Sequence, residues 1–247
     1  VILNTAPIAS MVTLSPNTIY TNDDVRAVVT GSDADDDGIS YSYSWYVDGA
    51  LVAETSATIS GIDYFERDQI LYVVATPDDG TDSGSSVTSS SATISNSAPV
   101  ISDISFDPVA PSTEDILTAS PSATDADGDS ISFDWTWTVS GTPIAETSDS
   151  LDGSTWFDKG DTIRATAVPD DGTDTGSAFD SDTITVGNAA PELVSGSLSP
   201  SVVMTNDTIT ATVSTIDDDG DAVSIEYVWS VDGIEVMETG DTLDGTT

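Results

Sequence analysis

Ile39-Ser40-Tyr41-Ser42-Tyr43-Ser44-Trp45-Tyr46-Val47 alternates apolar or aromatic residues with polar ones, and Tyr46 alone falls on the polar phase. A period of two over this length predicts a strand with one buried face. The same phase returns at Ile131, Phe133, Trp135, Trp137 and Val139, and again at Val223, Ile225, Tyr227, Trp229 and Val231. The Ser, Thr and Asp residues between them suit the wet face of an antiparallel sheet.

Working outward, the whole chain repeats every 92 residues without a gap. Ala6-Pro7, Ala98-Pro99 and Ala190-Pro191 mark the frame, preceded by Asn4, Asn96 and Asn188. Pro16, Pro108 and Pro200 hold the register, as do Glu54, Glu146 and Glu238, and Gly61, Gly153 and Gly245. Residues 1–5 read as the tail of a preceding repeat with its linker. Residues 6–97 and 98–189 are two whole repeats, and 190–247 is a third that lacks its last strands. The simplest expectation is a slice of a longer array. The alternative is a chain end whose missing strands another subunit supplies by strand addition.

Each repeat carries further short strands. Val25, Ala27 and Val29 alternate, as do Leu71, Val73 and Ala75, and Ile163, Ala165 and Ala167. Asp48-Gly49 and Asp232-Gly233 predict hairpin turns. Pro77 and Pro169 are expected to terminate strands, and no helical periodicity is present. About seven strands in ~90 residues, with a Trp on the third, predict an all-β fold of tandem immunoglobulin-like β-sandwiches, arranged as an elongated rod. Small residues such as Ala27 and Ala119 occupy the places where antibody domains put cysteines.

Composition narrows function. The 247 residues hold 44 Asp and Glu against four Lys and Arg, for a net charge of −40, with no Cys and no His. Disulfides, Cys/His zinc sites, and catalysis by imidazole or thiol are excluded. Nucleic acid and anionic membranes are unsuitable partners, because phosphates need basic side chains. No apolar run reaches the ~20 residues of a membrane span. No signal peptide is present, so a secreted protein would carry its signal outside these residues. Paired carboxylates can cleave glycosides, but identical acids in every repeat suit structure better. Autocatalytic Lys–Asn cross-links need a Lys in each domain, and only Lys159 is present. The chain is therefore not expected to be an enzyme.

The charge is concentrated in two loops. The first holds Asp33, Asp35 and Asp37, then Asp125, Asp127 and Asp129, then Asp217, Asp219 and Asp221. The second holds Asp78, Asp79 and Asp82, then Asp170, Asp171 and Asp174. In an immunoglobulin sandwich both loops emerge at the pole where the chain enters. Crowded carboxylates repel without counterions, and calcium takes six to eight oxygens. These residues are accordingly candidate calcium ligands. The EF-hand pattern does not fit, since position twelve is Ser44 or Thr136, within a strand. General acidity of salt-adapted proteins is the competing reading. It should decorate strand faces too, where Ser and Thr predominate.

Thr124 to Trp137, TDADGDSISFDWTW, resembles the acidic-loop-then-Trp signature of polycystic-kidney-disease (PKD) type repeats of microbial surface proteins. PDDGTDTG, a Thr-rich strand and NAAP resemble the end of such repeats. The chain departs from the usual Gly-Asp-Gly-like turn with Val47-Asp48-Gly49 and Val139-Ser140-Gly141. A general immunoglobulin-like or cadherin-like assignment fits equally. The resemblance implies extracellular or cell-surface spacers, stalks and adhesive fibres, with calcium at domain junctions as the cadherin-like trait.

The leading expectation is a calcium-rigidified structural segment of a cell-surface or extracellular fibre, contacting neighbouring repeats and self-assembling into a filament or layer. The alternatives are a glycan- or protein-binding adhesin or accessory module, and an acidic, salt-adapted surface-layer protein. Tyr46 and Tyr72 are candidates for an outward aromatic platform, although Thr138 and Arg164 replace them in the second repeat. Ser85 to Ser91 is either an O-glycosylated run or a polar strand with its approach loop.

Overall fold

A computed structural model describes residues 3–246. The first repeat consists of β1 (Ile8–Ser15), β2 (Asp24–Ser32), β3 (Ser40–Val47), β4 (Ala50–Leu51), β5 (Thr58–Ser60), the single helical turn α1 (Gly61–Tyr64), β6 (Ile70–Asp78), β7 (Val87–Thr88) and β8 (Ala92–Thr93). One sheet runs β1-β2-β5 and the other β4-β3-β6-β7, with β8 also pairing β6. β7 and β8 form a single edge interrupted at Ser89. That buried side chain accepts from the Val73 amide at 3.1 Å, and the Ser89 amide donates to the Val73 carbonyl at 2.9 Å. Within the serine-rich run Val87–Thr88 is strand, and the Ser89 side chain extends its ladder onto β6.

Alternation places the core. Val12, Leu14, Val25, Ala27 and Ile59 from one sheet meet Trp45, Val47, Leu71, Val73 and Ala75 from the other. Trp45 is fully buried, and burial leaves its indole N–H needing an acceptor. The Ser56 carbonyl supplies it at 2.9 Å. Glu54 in turn holds that loop by accepting from the Thr55 and Ser56 amides at 2.8 and 2.6 Å. Trp137, Ser148 and Glu146 repeat the arrangement. This gives the recurring Trp and Glu a joint purpose. The β3–β4 hairpin turns at Asp48 and Gly49, both with positive φ (49° and 77°), as its two-residue length requires.

The second repeat follows the same order: β9 (Val100–Asp107), β10 (Ile116–Thr124), β11 (Ser132–Val139), β12 (Thr142–Ile144), β13 (Ser150–Asp152), α2 (Gly153–Trp156), β14 (Thr162–Asp170), β15 (Phe179–Asp180) and β16 (Ile184–Thr185). Its sheets are β13-β10-β9 and β12-β11-β14-β15, with β16 on β14. The third holds β17 (Glu192–Ser199), β18 (Thr208–Ile216), β19 (Trp229–Val231), β20 (Ile234–Val236) and β21 (Thr242–Asp244). It forms sheets β17-β18-β21 and β19-β20. The Ser15-Pro16, Asp107-Pro108 and Ser199-Pro200 bonds are cis in all three.

Two local expectations need correction. Pro77 and Pro169 do not end their strands: β6 and β14 each continue one residue further. Pro77 still pairs with Tyr41 at the end of the ladder, where a missing N–H is tolerated. The strand expected over Val223–Val231 is regular only from Trp229 to Val231. Its counterpart β3 is laddered along its length by β6, and the described residues hold no counterpart of β6 in the third repeat.

By contact the chain divides into two compact units. The first takes in Val1–Asp103, Ser122–Asp134 and Ala167–Phe179. The second takes in Ile104–Pro121, Trp135–Thr166 and Asp180–Thr247. The first joins the first repeat's body to the two acidic loops of the second repeat, and the second joins the second repeat's body to the third repeat. Among the described residues, no helix is long and apolar enough to cross a membrane.

Candidate functional site

The acidic loops sit at the linkers. In the first unit, the linker residue Asn96 donates through its amide nitrogen to both Asp171 and Asp174 of the second loop, at 2.9 Å each. The next amide, of Ser97, donates to Asp127 Oδ2 of the first loop at 2.6 Å. Asn4 likewise grips Asp79 and Asp82, and the Thr5 amide reaches Asp35 Oδ2 at 2.7 Å. One Asn and one backbone N–H thus tie the entering chain to both loops. In the second unit, the Ala189 amide makes the same bond to Asp219.

Each carboxylate has a distinct job. Asp33 and Asp125 fold their own loop through Oδ1, which accepts two amides: Asp35 and Asp37 at 2.7 and 3.3 Å, or Asp127 and Asp129 at 2.8 and 3.2 Å. Asp217 accepts the Asp221 amide at 2.8 Å. Asp78 and Asp170 turn inward on the second loop, taking the Gly80 and Gly172 amides at 2.8 Å and the hydroxyls of Ser83 and Thr175. Asp79 and Asp171 take two loop amides through Oδ1 and the linker Asn through Oδ2. These donors favour the charged form, so the Asp79 and Asp171 carboxyls lie below the ordinary range. Asp219 is lowered too, first by the Thr113 hydroxyl and then by the Ala189 amide and Lys159.

The preceding repeat contributes from its far end. The Thr21 hydroxyl donates to Asp127, and Thr113 donates to Asp219. Arg67 forks onto Asp129, Nη1 to Oδ2 and Nη2 to Oδ1, the latter at 3.3 Å. It also donates to Asn96 Oδ1. Lys159, at the same position of its repeat, meets Asp221 Oδ2 at 2.5 Å and Asn188 Oδ1 at 2.8 Å. Sequence reading missed this. The signal was present, since two of only four basic residues occupy one repeat position.

Glycines let these surfaces close. A Cβ on Gly176 would stand 2.0 Å from the Pro99 carbonyl oxygen, and one on Gly84 would stand 1.8 Å from that of Pro7. Only a residue without Cβ lets the segment following the second loop seat against the Ala-Pro linker.

Whether the first loop suits a hard cation follows from its spacing. Among the described residues, one oxygen from each of Asp33, Asp35 and Asp37 lies within 4.8 Å of the others, and the same holds for Asp217, Asp219 and Asp221. Oxygens 2.3–2.6 Å from a common calcium ion lie at most about 5 Å apart. Asp33 Oδ2 and Asp125 Oδ2 are buried with no hydrogen-bond partner among the described residues, an arrangement that is costly without a counter-charge. The donors therefore fit calcium. Asp125, Asp127 and Asp129 do not form such a tight group among the described residues; there Arg67 engages the third carboxylate.

The outward aromatics form a pair. Tyr46 and Tyr72, opposite each other on β3 and β6, stack with centroids 4.8 Å apart and planes 5° from parallel. In the second repeat, Arg164 instead pairs with Asp180.

Topology defines the class: all-β, tandem immunoglobulin-like sandwiches. No protein-family model matches the sequence, and no curated protein does. Among solved structures, the chain is similar to Sidekick-1 immunoglobulin domains 1-5 (9% identity, TM-score 0.33), covering 100% of this chain and 50% of that one. It is also similar to chicken CNTN1 FN1-FN3 domains (12%, 0.31; 85% and 76% covered). A third is the three N-terminal domains of the bacteriophage RB49 Highly Immunogenic Outer Capsid protein (13%, 0.30; 89% and 73% covered). The chain thus spans half the length of the Sidekick-1 fragment.

Proposed function

We propose that this chain is a structural spacer of an extracellular or cell-surface protein, of the PKD-type or cadherin-like kind, and is not an enzyme. Its repeats are joined by stiff, acidic, calcium-binding linkers. The observation that carries this is the linker itself. Asn96 and Ser97 are bonded to both acidic loops, and Thr21 and Arg67 of the preceding repeat bond the first of these, at Asp127 and Asp129. Such a linker lacks the free rotation of a Gly/Ser tether. Calcium at Asp33, Asp35 and Asp37, and at Asp217, Asp219 and Asp221, would neutralise converging charge and fix the loop against its linker. Repeats in series then project whatever lies beyond them, and contacts between copies would extend them into a filament or layer.

The test is thermal unfolding and small-angle scattering of the chain in chelator, millimolar calcium, millimolar magnesium and molar sodium chloride. Calcium-selective stabilisation with a calcium-dependent stiffening is expected. Equal stabilisation by every salt would sink the calcium reading and leave charge screening.

A further inference from the structure

We infer that the basic side chain at position 67, and at 159 in the next repeat, is the resident cation of each repeat-to-repeat joint. It docks its repeat onto the third Asp of the successor's first acidic loop, and it competes with divalent metal for that loop. The second limb rests on the calcium reading above; the first does not.

The geometry is specific. In a chain with 44 acids an Arg–Asp pair can be incidental, and Arg164–Asp180 is such a case, confined to one repeat. Arg67 and Lys159 differ from it. Each reaches the linker Asn and then the third Asp of the next loop, Asn96 and Asp129 or Asn188 and Asp221. Each repeat also presents a Thr to the loop's middle Asp. Three donors, a cation, a hydroxyl and a linker amide, thus divide the second and third carboxylates among themselves.

The two joints are unequal. A guanidinium matches a carboxylate in two parallel bonds, whereas an ammonium is a point charge. The Arg67 and Asp129 side chains are 30% and 28% exposed, and those of Lys159 and Asp221 are 41% and 50% exposed. The better screened pair is the weaker. Where Arg67 sits, the carboxylates are not gathered for an ion; where Lys159 sits, Asp217, Asp219 and Asp221 still are. The Arg joint therefore carries its own counter-charge on the third carboxylate, although Asp125 Oδ2 stays unpartnered there, and the Lys joint, whose three carboxylates are gathered, is the one that calcium enters first.

Amide hydrogen exchange on the full chain, in chelator at low salt, tests this. R67Q should lower protection of the Asp127–Asp129 amides about tenfold, and K159Q that of the Asp221 amide about threefold, with amides around Trp45 unchanged. K159R should tighten its joint. The charge swap R67D with D129R should restore protection that R67D alone removes. Unchanged protection in R67Q, or no recovery in the swap, overturns the docking role. Calcium titration of the same variants tests competition: R67Q should bind one calcium more than the unmodified chain and regain its lost protection. If R67Q loosens but no variant binds calcium, docking stands and the calcium reading fails. If R67Q loosens and the unmodified chain binds calcium as fully as R67Q, competition is overturned.

Discussion

The first and third repeats share nearly every local device but differ in what those devices achieve. Both open with a hairpin that slips register at the same point, between Ala9 and Met11 or between Leu193 and Ser195. Both pair the second strand with the fifth, and both give the Trp indole a carbonyl at 2.9 Å. Yet Val25 is fully buried, whereas its equivalent Leu117 is matched in the third repeat by a half-buried Ile209. Among the described residues, the third repeat's first strand is exposed along its length, and Val203, Ile209, Val236 and Leu243 line an apolar hollow of about 530 Å³. Hairpins and turns are local, whereas the long third strand and the dry core need β6 or its equivalent.

The largest expected effect comes from supplying that strand. Appending a copy of residues 156–189 after Thr247 offers the third repeat's Trp strand the ladder partner that β14 gives β11. It should convert residues 223–228 to protected strand and add a cooperative unfolding transition of about 5 kcal/mol, the low end for a small domain. Exchange protection of those amides is the measurement. If they stay open, the third strand fails for a reason of its own sequence.

Next comes the Trp. Trp45→Ala removes a fully buried indole and should cost about 3–5 kcal/mol in the first repeat. Trp229→Ala should cost clearly less, about 1–2 kcal/mol, because the first strand of its repeat is exposed and the site can relax. Denaturant unfolding of the two variants compares them directly. Equal costs would mean that the third repeat is packed in solution despite its exposed strands.

The contrast also explains what could be read beforehand. Alternation around Trp45 and the Asp48-Gly49 turn identified strand, hairpin and sandwich, because period and turn chemistry are local. The acidic loops were legible as clusters, and the linker was legible by its spacing. Their bonding was not. Nothing in Asn4 or Asn96 announces that its amide grips two carboxylates of a loop some 75 residues away. Glu54 and Glu146 recurred visibly, but their purpose appears only once the indole has found its carbonyl. The cationic joints escaped because a lone Arg among dozens of Asp reads as ordinary solvated charge.

Smaller again is the linker seat. Gly176→Ala forces a Cβ to within 2.0 Å of the Pro99 oxygen, and backbone must move. A loss of about 2 kcal/mol is expected for such a clash. Gly172→Ala in the neighbouring loop is the control: there the added Cβ meets nothing within 4 Å, and only the positive φ is strained.

The smallest effect is acid sensitivity, which sharpens the comparison by chemistry rather than packing. Asp79 and Asp171 are held below the ordinary carboxyl range, first by loop amides and then by the linker Asn, and Glu54 and Glu146 by the amides beneath the Trp. A carboxyl lowered in the folded state stabilises fully above its unfolded pKa, about 4, and loses that contribution as pH falls through the folded value. Stability of the two complete repeats should therefore decline below about pH 4 as these bonds are protonated away. Asn96→Ala should weaken that dependence, since one of the donors lowering Asp171 is gone. Glu146→Gln should trim it further, with a melting shift of only about 1–2 °C at neutral pH. A pH profile identical in Asn96→Ala and the parent would mean that the linker Asn is not what keeps Asp171 ionised, and that the loop's own amides suffice.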